Sequence, residues 1–383
     1  MTVYSQISDE LKQIKSNGLY RKIPAIAKTA NKFIEINGSV KLNCASNDYL
    51  GLSHNSQVKE ASIKAIETYG NSSGSSRVVC GNYDLFDKLE QEMAKFKNCE
   101  SCLVVNTGFM ANLLIISTLA CPDSIIFTDK LNHASIYDGI KLSGAKMLRY
   151  KHNDIDHLKI LLKKYAEHSK KILVTDTLFS MDGDKAKLKE LSDLKYKYNF
   201  LLMVDEAHAT GIFGKGKGLV HEEGVERDID INMGTFSKAL GGFGAYVCAD
   251  KTIIEYLVNK GRGLIFTTSL PPAVIGGNLK SLEIVSQQHE KYGKKLLDHC
   301  SIFKDLLTKE NIDCGETESQ IFPIVFKNNN SVMEAQRRLL KSGIYAALAR
   351  RPSVPTPRLR ISLRADFTKE DLVKIVRCLK QII

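Results

Sequence analysis

The segment GTFSKALGGFGAY, residues 234–246, sets Lys238 between a small polar stretch and a run of glycines, just ahead of an apolar strand. An amine so placed attacks carbonyl carbons once burial or a neighbouring cation strips its proton, giving a Schiff base. Glycines beside it let a flat group approach the backbone. In LLMVDEAHATGIFG, residues 201–214, an apolar strand ends at Asp205 and His208 follows three residues later. A buried carboxylate at a strand end can keep a pyridine nitrogen protonated, which turns that ring into an electron sink. His208 would then reach a phenolic oxygen on the same ring. In NTGFMANLL, residues 106–114, Thr107 and Gly108 open an apolar helical pattern. Unpaired N–H groups and the positive dipole end suit a phosphate dianion there. Taken singly, each segment also fits a bland role: a solvated lysine, a structural aspartate with a surface histidine, a helix cap.

The DEAH string also occurs in nucleic-acid motors, which need a loop of glycine, lysine and then serine or threonine. The Gly-Lys pairs starting at Gly214, Gly216 and Gly293 are followed by Gly216, Gly218 and Lys295, so none fits and nucleic acid is not the expected partner. Cys99 and Cys102 form a CxxC without a second pair or a histidine cluster at zinc spacing, and no metal is expected. The nine cysteines, odd in number and scattered, read as reduced thiols. Lys and Arg outnumber Asp and Glu by 54 to 43, so anionic partners are favoured: nucleic acid, a phosphorylated small molecule or an acidic carrier protein. A solvated surface excess fits as well. No apolar run reaches the roughly 18 residues that span a bilayer. The start, MTVYSQISDELKQIK, lacks the apolar core of a signal peptide, so no membrane partner and a cytoplasmic location are expected.

The elements that position these residues follow from periodicity. Runs of β-branched and apolar residues at 102–105, 124–128, 171–175, 200–204 and 244–248 alternate with helix-like stretches. That predicts an α/β fold with a mostly parallel sheet. Polar residues follow two of the runs at once, Asp176, Thr177 and Ser180 after one, Asp205, Glu206 and His208 after the other. Strand carboxyl ends are where such sheets hold ligands. From about 286 the texture changes to amphipathic helix, short strands near 321–326 and 359–363, and a closing helix from 368. The expected organisation is an N-terminal segment 1–45, a large domain 46–285 and a smaller α+β domain 286–383.

Nine motifs now stand in order: NDYLGL (47–52), SSGSSR (72–77), TGFMAN (107–112), NHAS (132–135), FSMDGD (179–184), DEAHATG (205–211), TFSKALGG (235–242), FTTSLPP (266–272) and RPSVPTPRLR (351–360). In this set and order the chain resembles the α-oxoamine synthases, enzymes of the fold type I transferases that use pyridoxal 5'-phosphate (PLP). The resemblance implies that Lys238 carries PLP and later removes the substrate α-proton. It implies that Asp205 pairs with the pyridine nitrogen, His208 and Ser180 with the phenolic oxygen, and that His133 stacks on the ring. The phosphate would take backbone N–H groups of Gly108 and Phe109, the Thr235 hydroxyl, and Thr267 and Thr268 from a partner subunit, making a homodimer with shared sites. Arg360 and Asn47 would bind the amino-acid carboxylate, a planar guanidinium matching two oxygens at once, with Arg21 and Ser76 also on substrate.

The implied reaction is a decarboxylative condensation of an amino acid with an acyl thioester on coenzyme A or an acyl carrier protein. GSSRVVCGNYDLFDKLE (74–90) and RPSVP (351–355) resemble most the members that join alanine to a pimeloyl thioester in the biotin pathway. Glycine-using acetyl transferases are the alternative. Glycine-using, aminolevulinate-forming members carry threonine where Ser76 stands, and serine leaves room for the alanine methyl. Two departures accompany the resemblance: 351–360 runs about two residues short near Arg358 and Arg360, and Phe86 replaces a frequent histidine at a position read as structural.

Overall fold

A computed structural model describes residues 2–383. Its larger sheet has seven strands, in spatial order Ser101–Val105, Ala245–Ala249, Ile231–Thr235, Leu201–Asp205, Lys171–Asp176, Ile125–Asp129 and Lys146–Tyr150. The strands are parallel from Ile231–Thr235 through Lys146–Tyr150, whereas Ala245–Ala249 runs antiparallel to both its neighbours. Chain length explains the exception. A parallel return needs a crossover of a dozen or more residues, and only residues 236–244 separate Thr235 from Ala245. The chain must turn straight back, and Lys238 rides on that turn.

Alternation along the strands supplies two apolar faces. Leu103, Val105, Ile126, Met203 and Met233 point to one side, with Leu114 and Ile115 of the helix Gly108–Leu119. Val104, Phe127, Leu202, Val204 and Tyr246 point to the other, where the remaining core lies. Helices covering both faces bury the central strands along nearly their whole length, Leu201 at the start of the middle strand being exposed, as the near-continuous apolar runs require.

The second sheet has six strands, in order Ile26–Ala30, Phe33–Ile36, Ser39–Cys44, Ile344–Ala349, Arg358–Ser362 and Ile321–Val325. Ser39–Cys44 pairs in parallel with Ile344–Ala349, the other contacts being antiparallel. Residues from 1–45 and from 286–383 therefore share one sheet, each covering an edge the other would leave unpaired. Position 285 falls near the end of the helix Pro272–Gln287. Among the described residues no helix is long and apolar enough to cross a membrane.

Candidate active site

Asp176 and Asp205 are register partners at the carboxyl ends of adjacent parallel strands. Below them opens a cavity of about 240 Å3 lined by Gly108, Phe109, Asn112, His133, Ser180, His208, Thr235 and Lys238 among others. A larger cavity, about 760 Å3, lies between helices Ser56–Tyr69, Asp84–Lys97 and Pro272–Gln287, away from these residues. Chemistry, not size, singles out the smaller one.

Two bonds fix the Asp205 carboxylate: Asn112 Nδ2 donates to Oδ2 at 2.9 Å and the Ala207 N–H to Oδ1 at 2.9 Å. Burial and the charge of Asp205 push Asp176 well above the usual carboxylate range. Asp176 accepts from the His133 N–H at 2.9 Å and thereby places that ring. Burial also lowers His133 below its ordinary value. Its Nδ1 lies 2.7 Å from Ser135 Oγ, and Phe109 meets the ring edge-on at 6.4 Å.

Lys238 Nζ lies 2.8 Å from His208 Nε2. Burial brings the lysine down to about 8, Asp205 and Asp176 acting against it and Arg360 with it. Burial, then the charges of Lys238, Arg360 and His133, hold His208 well below its usual value, so the imidazole is neutral. One tautomer satisfies the whole chain. The Lys238 ammonium donates to Nε2, Nδ1–H donates to Tyr49 Oη at 2.8 Å, and the Tyr49 hydroxyl donates to Asn47 Oδ1 at 3.1 Å.

The helix Gly108–Leu119 points its N-terminus into the cavity, and its Thr107 cap accepts from Met110 N at 3.0 Å. The first N–H groups of a helix have no partner within it, which makes those of Gly108 and Phe109 available to an anion. The Thr235 hydroxyl instead donates to the Gly244 carbonyl at 2.6 Å, closing the turn that carries Lys238. Ser237, which also lines the cavity and lies 2.6 Å from Thr235 Oγ1, is the more open hydroxyl.

Arg360 is buried; Nη1 donates to the Ser180 carbonyl at 3.1 Å, Nη2 bonds Asn47 Oδ1, and Nε has no protein partner. Arg358 is already committed to the Asp182 carboxylate and the Met181 carbonyl. Arg360 is thus the arginine with donor capacity left for a carboxylate.

The structure brings Lys238, His133, Asp205, His208, Gly108, Phe109, Ser180 and Thr235 together in one cavity, with Asn47 and Arg360 joined to it through Tyr49 and Ser180. Ser76, Arg21, Thr267 and Thr268 do not line it. Arg21 is exposed and donates to Ser353 Oγ at 2.6 Å. Ser76 and the two threonines belong to one surface strip: Ser269 N donates to Ser75 O at 3.0 Å and Ser73 Oγ to Ser269 O at 2.8 Å. Phe86 is buried beneath the Arg77 guanidinium, 4.4 Å from its ring centre. Asn112 and Tyr49 carry no role in the sequence reading; a lone asparagine within an apolar helical run was the available signal for the first.

PLP needs an amine for its aldehyde, an acid at its nitrogen, a partner for its phenolic oxygen and donors for its phosphate. Lys238, Asp205, His208 with Ser180, and the helix N-terminus meet those needs in one cavity near the lower end, roughly 300 Å3, of small-molecule sites. The comparisons agree. Residues 39–379 match the family model "Aminotransferase class I and II". A Bacillus cereus protein provisionally named 8-amino-7-oxononanoate synthase is 44% identical over 96% of this chain and 94% of its own length. The fold superposes on serine palmitoyltransferase from S. paucimobilis, solved with bound PLP, with a TM-score of 0.94 at 28% identity, covering 100% of this chain and 98% of that one. It also matches 8-amino-7-oxononanoate synthase from Francisella tularensis, TM-score 0.78 at 30% identity over 89% of this chain and 97% of that one. The chain is a class I and II aminotransferase family member with PLP as its cofactor, and within that family it belongs to the α-oxoamine synthases.

Proposed function

We propose that the enzyme condenses L-alanine with a pimeloyl thioester, of coenzyme A or an acyl carrier protein, to 8-amino-7-oxononanoate, carbon dioxide and free thiol. The observation that carries this reading is the 44% identity, over nearly the whole chain, to a relative provisionally named for that reaction. Bound PLP supplies an electron sink for the α-carbanion. Lys238 holds the cofactor and then takes the α-proton of alanine, a role its lowered pKa favours. Asp205 keeps the pyridine nitrogen protonated, and neutral His208 with Ser180 orients the phenolic oxygen. His133 stacks on the ring, and Gly108, Phe109 and a hydroxyl from Thr235 or Ser237 hold the phosphate. Arg360 and Asn47 grip the carboxylate. The α-carbon then bonds to the thioester carbonyl, the C–S bond breaks with the thiolate leaving, and the β-keto acid loses carbon dioxide, a proton taking the place of the carboxyl group on the α-carbon.

In this reading the enzyme works as a homodimer. Ser76, Thr267 and Thr268, on segments joined to each other through Ser73, Ser75 and Ser269 and off their own chain's cavity, face the partner's site, the threonines at its phosphate and Ser76 beside its substrate. Thiol release by purified holoenzyme, offered alanine, glycine or serine with a panel of acyl thioesters, tests the reading. Alanine with pimeloyl thioester should give the highest kcat/KM. Preference for glycine with an acetyl thioester, or serine with a palmitoyl one, would overturn it.

A further inference from the structure

The turn Phe179–Asp184 is where the two sheets meet at the site. It closes on itself through Phe179 N to Asp184 O at 3.0 Å and Gly183 N to Phe179 O at 2.9 Å. On one side it receives Arg360 at the Ser180 carbonyl, 3.1 Å, Arg358 at the Met181 carbonyl and Asp182, and Glu318 N at the Gly183 carbonyl, 3.1 Å. On the other side stands His152, which does not line the cavity. Its Nε2 lies 2.8 Å from Asp184 Oδ2 and its Nδ1 3.0 Å from Asp129 Oδ1, at the end of the strand Ile125–Asp129. The edge of one ring meets the face of the other between His152 and Phe179, at 4.4 Å. Asn153 duplicates the link, its N–H donating to Asp129 Oδ2 at 2.8 Å and its Nδ2 to Asp184 Oδ2 at 3.0 Å.

We propose that His152 is a positioning residue for the substrate carboxylate: its two ring N–H groups tie the 179–184 turn to the strand end at Asp129 and so hold the Ser180 carbonyl that aims the Arg360 guanidinium. The inference rests on the reading of Arg360 as the carboxylate anchor. Only a protonated imidazole can donate from both nitrogens at once. Burial alone would strip that proton, but the bonds and charges of Asp129 and Asp184 raise the group to about 9, so both donors are present at neutral pH. The Asp129 side chain is 1% exposed and that of Asp184 16%, so little water is on hand to replace the lost bond if His152 is changed. The turn's contacts with Arg360, Arg358 and Glu318 come from the part of the chain that carries Arg360 itself, whereas the links from His152 and Asn153 refer its aim to the strand end at Asp129.

The test is His152→Gln, which can donate to one carboxylate but not bridge both. Amino-acid dissociation constants come from spectral titration of the holoenzyme, and KM and kcat are measured for both substrates. The amino-acid dissociation constant and KM should rise roughly tenfold, while PLP retention and the thioester KM stay within about twofold. Asp184→Asn should repeat the pattern if the glutamine variant fails to fold. In Arg360→Lys with His152→Gln the effects should not multiply, because one residue acts through the other. A folded His152→Gln or Asp184→Asn enzyme with an unchanged amino-acid dissociation constant overturns the proposal, as does a multiplied loss in the double variant. If Arg360→Lys alone leaves amino-acid binding untouched, the anchor assignment fails, a result separable from failure of the His152 arm.

Discussion

Lys238 can act as a nucleophile because its surroundings disfavour its charge: burial lowers it to about 8 against an ordinary 10.5. The neutral amine is the reactive form. Capture of PLP by the apoprotein should therefore climb as pH rises through about 8 and level off above it. Visible absorbance followed against pH checks this, and a midpoint near 10.5 would contradict it. Borohydride reduction and peptide mapping should put the pyridoxyl label on Lys238, and Lys238→Ala should fold yet lose turnover. At Ser76 the expectation concerns substrate choice. One methyl in a pocket is worth roughly 1–3 kcal/mol, so Ser76→Thr should cut alanine turnover about 10- to 200-fold relative to glycine. An alanine-to-glycine ratio of kcat/KM that moves less than threefold removes Ser76 from the pocket. Lys238, Asp205 and His208 were legible because each sits within a few residues of a strand end that names its position. Asn112 and Tyr49 were not, because they act on residues 93 and 159 positions away, Asp205 and His208, and no local spacing encodes such a pairing.

At the level of elements, five apolar runs read from the sequence coincide with strands to within about a residue, since strands covered on both faces, parallel or not, are written as continuous apolar stretches. Two strands of the same sheet went unread. Lys146–Tyr150 is an edge strand, largely accessible, and its KMLRY carries the charges an edge tolerates. Ile231–Thr235 is buried throughout, yet INMGT contains the two residues that argue most against a strand. Both have structural causes. Asn232 Nδ2 donates to Glu206 at 2.9 Å, within the buried Glu206–Lys97 ion pair behind the Asp205–His208 segment. Gly234 makes room for a tyrosine: a Cβ there would stand 2.2 Å from Tyr246 Oη on the neighbouring strand. Gly234→Ala should thus cost about 1–3 kcal/mol through overpacking. A urea melt with an unshifted midpoint would show that Tyr246 moves aside freely.

For the whole molecule, the proposed shared sites make a prediction about mixtures. Lys238→Ala subunits retain a sound Thr267–Thr268 strip, and subunits with both threonines changed to alanine retain a sound lysine. Unfolded together and refolded at equal amounts, half the dimers are hybrid, and each has one intact site. About a quarter of wild-type activity should return if the partner supplies the strip. A mixture no more active than its parents places the strip elsewhere. That two distant chain segments would build one sheet was not legible either, because parallel pairing leaves no trace in sequence separation. The pairing of Leu42 with Ile344 also sets a schedule for synthesis. At roughly 5–20 residues per second, the ribosome needs about 15–60 seconds to travel from one to the other. Throughout that interval Ser39–Cys44 has Phe33–Ile36 along one edge and nothing along the other, while the seven-stranded sheet, all of whose strands precede residue 250, can already assemble. The first three strands can pair with one another as they emerge, but their open edge is among the last to be covered, and slower translation lengthens its exposure to stray partners.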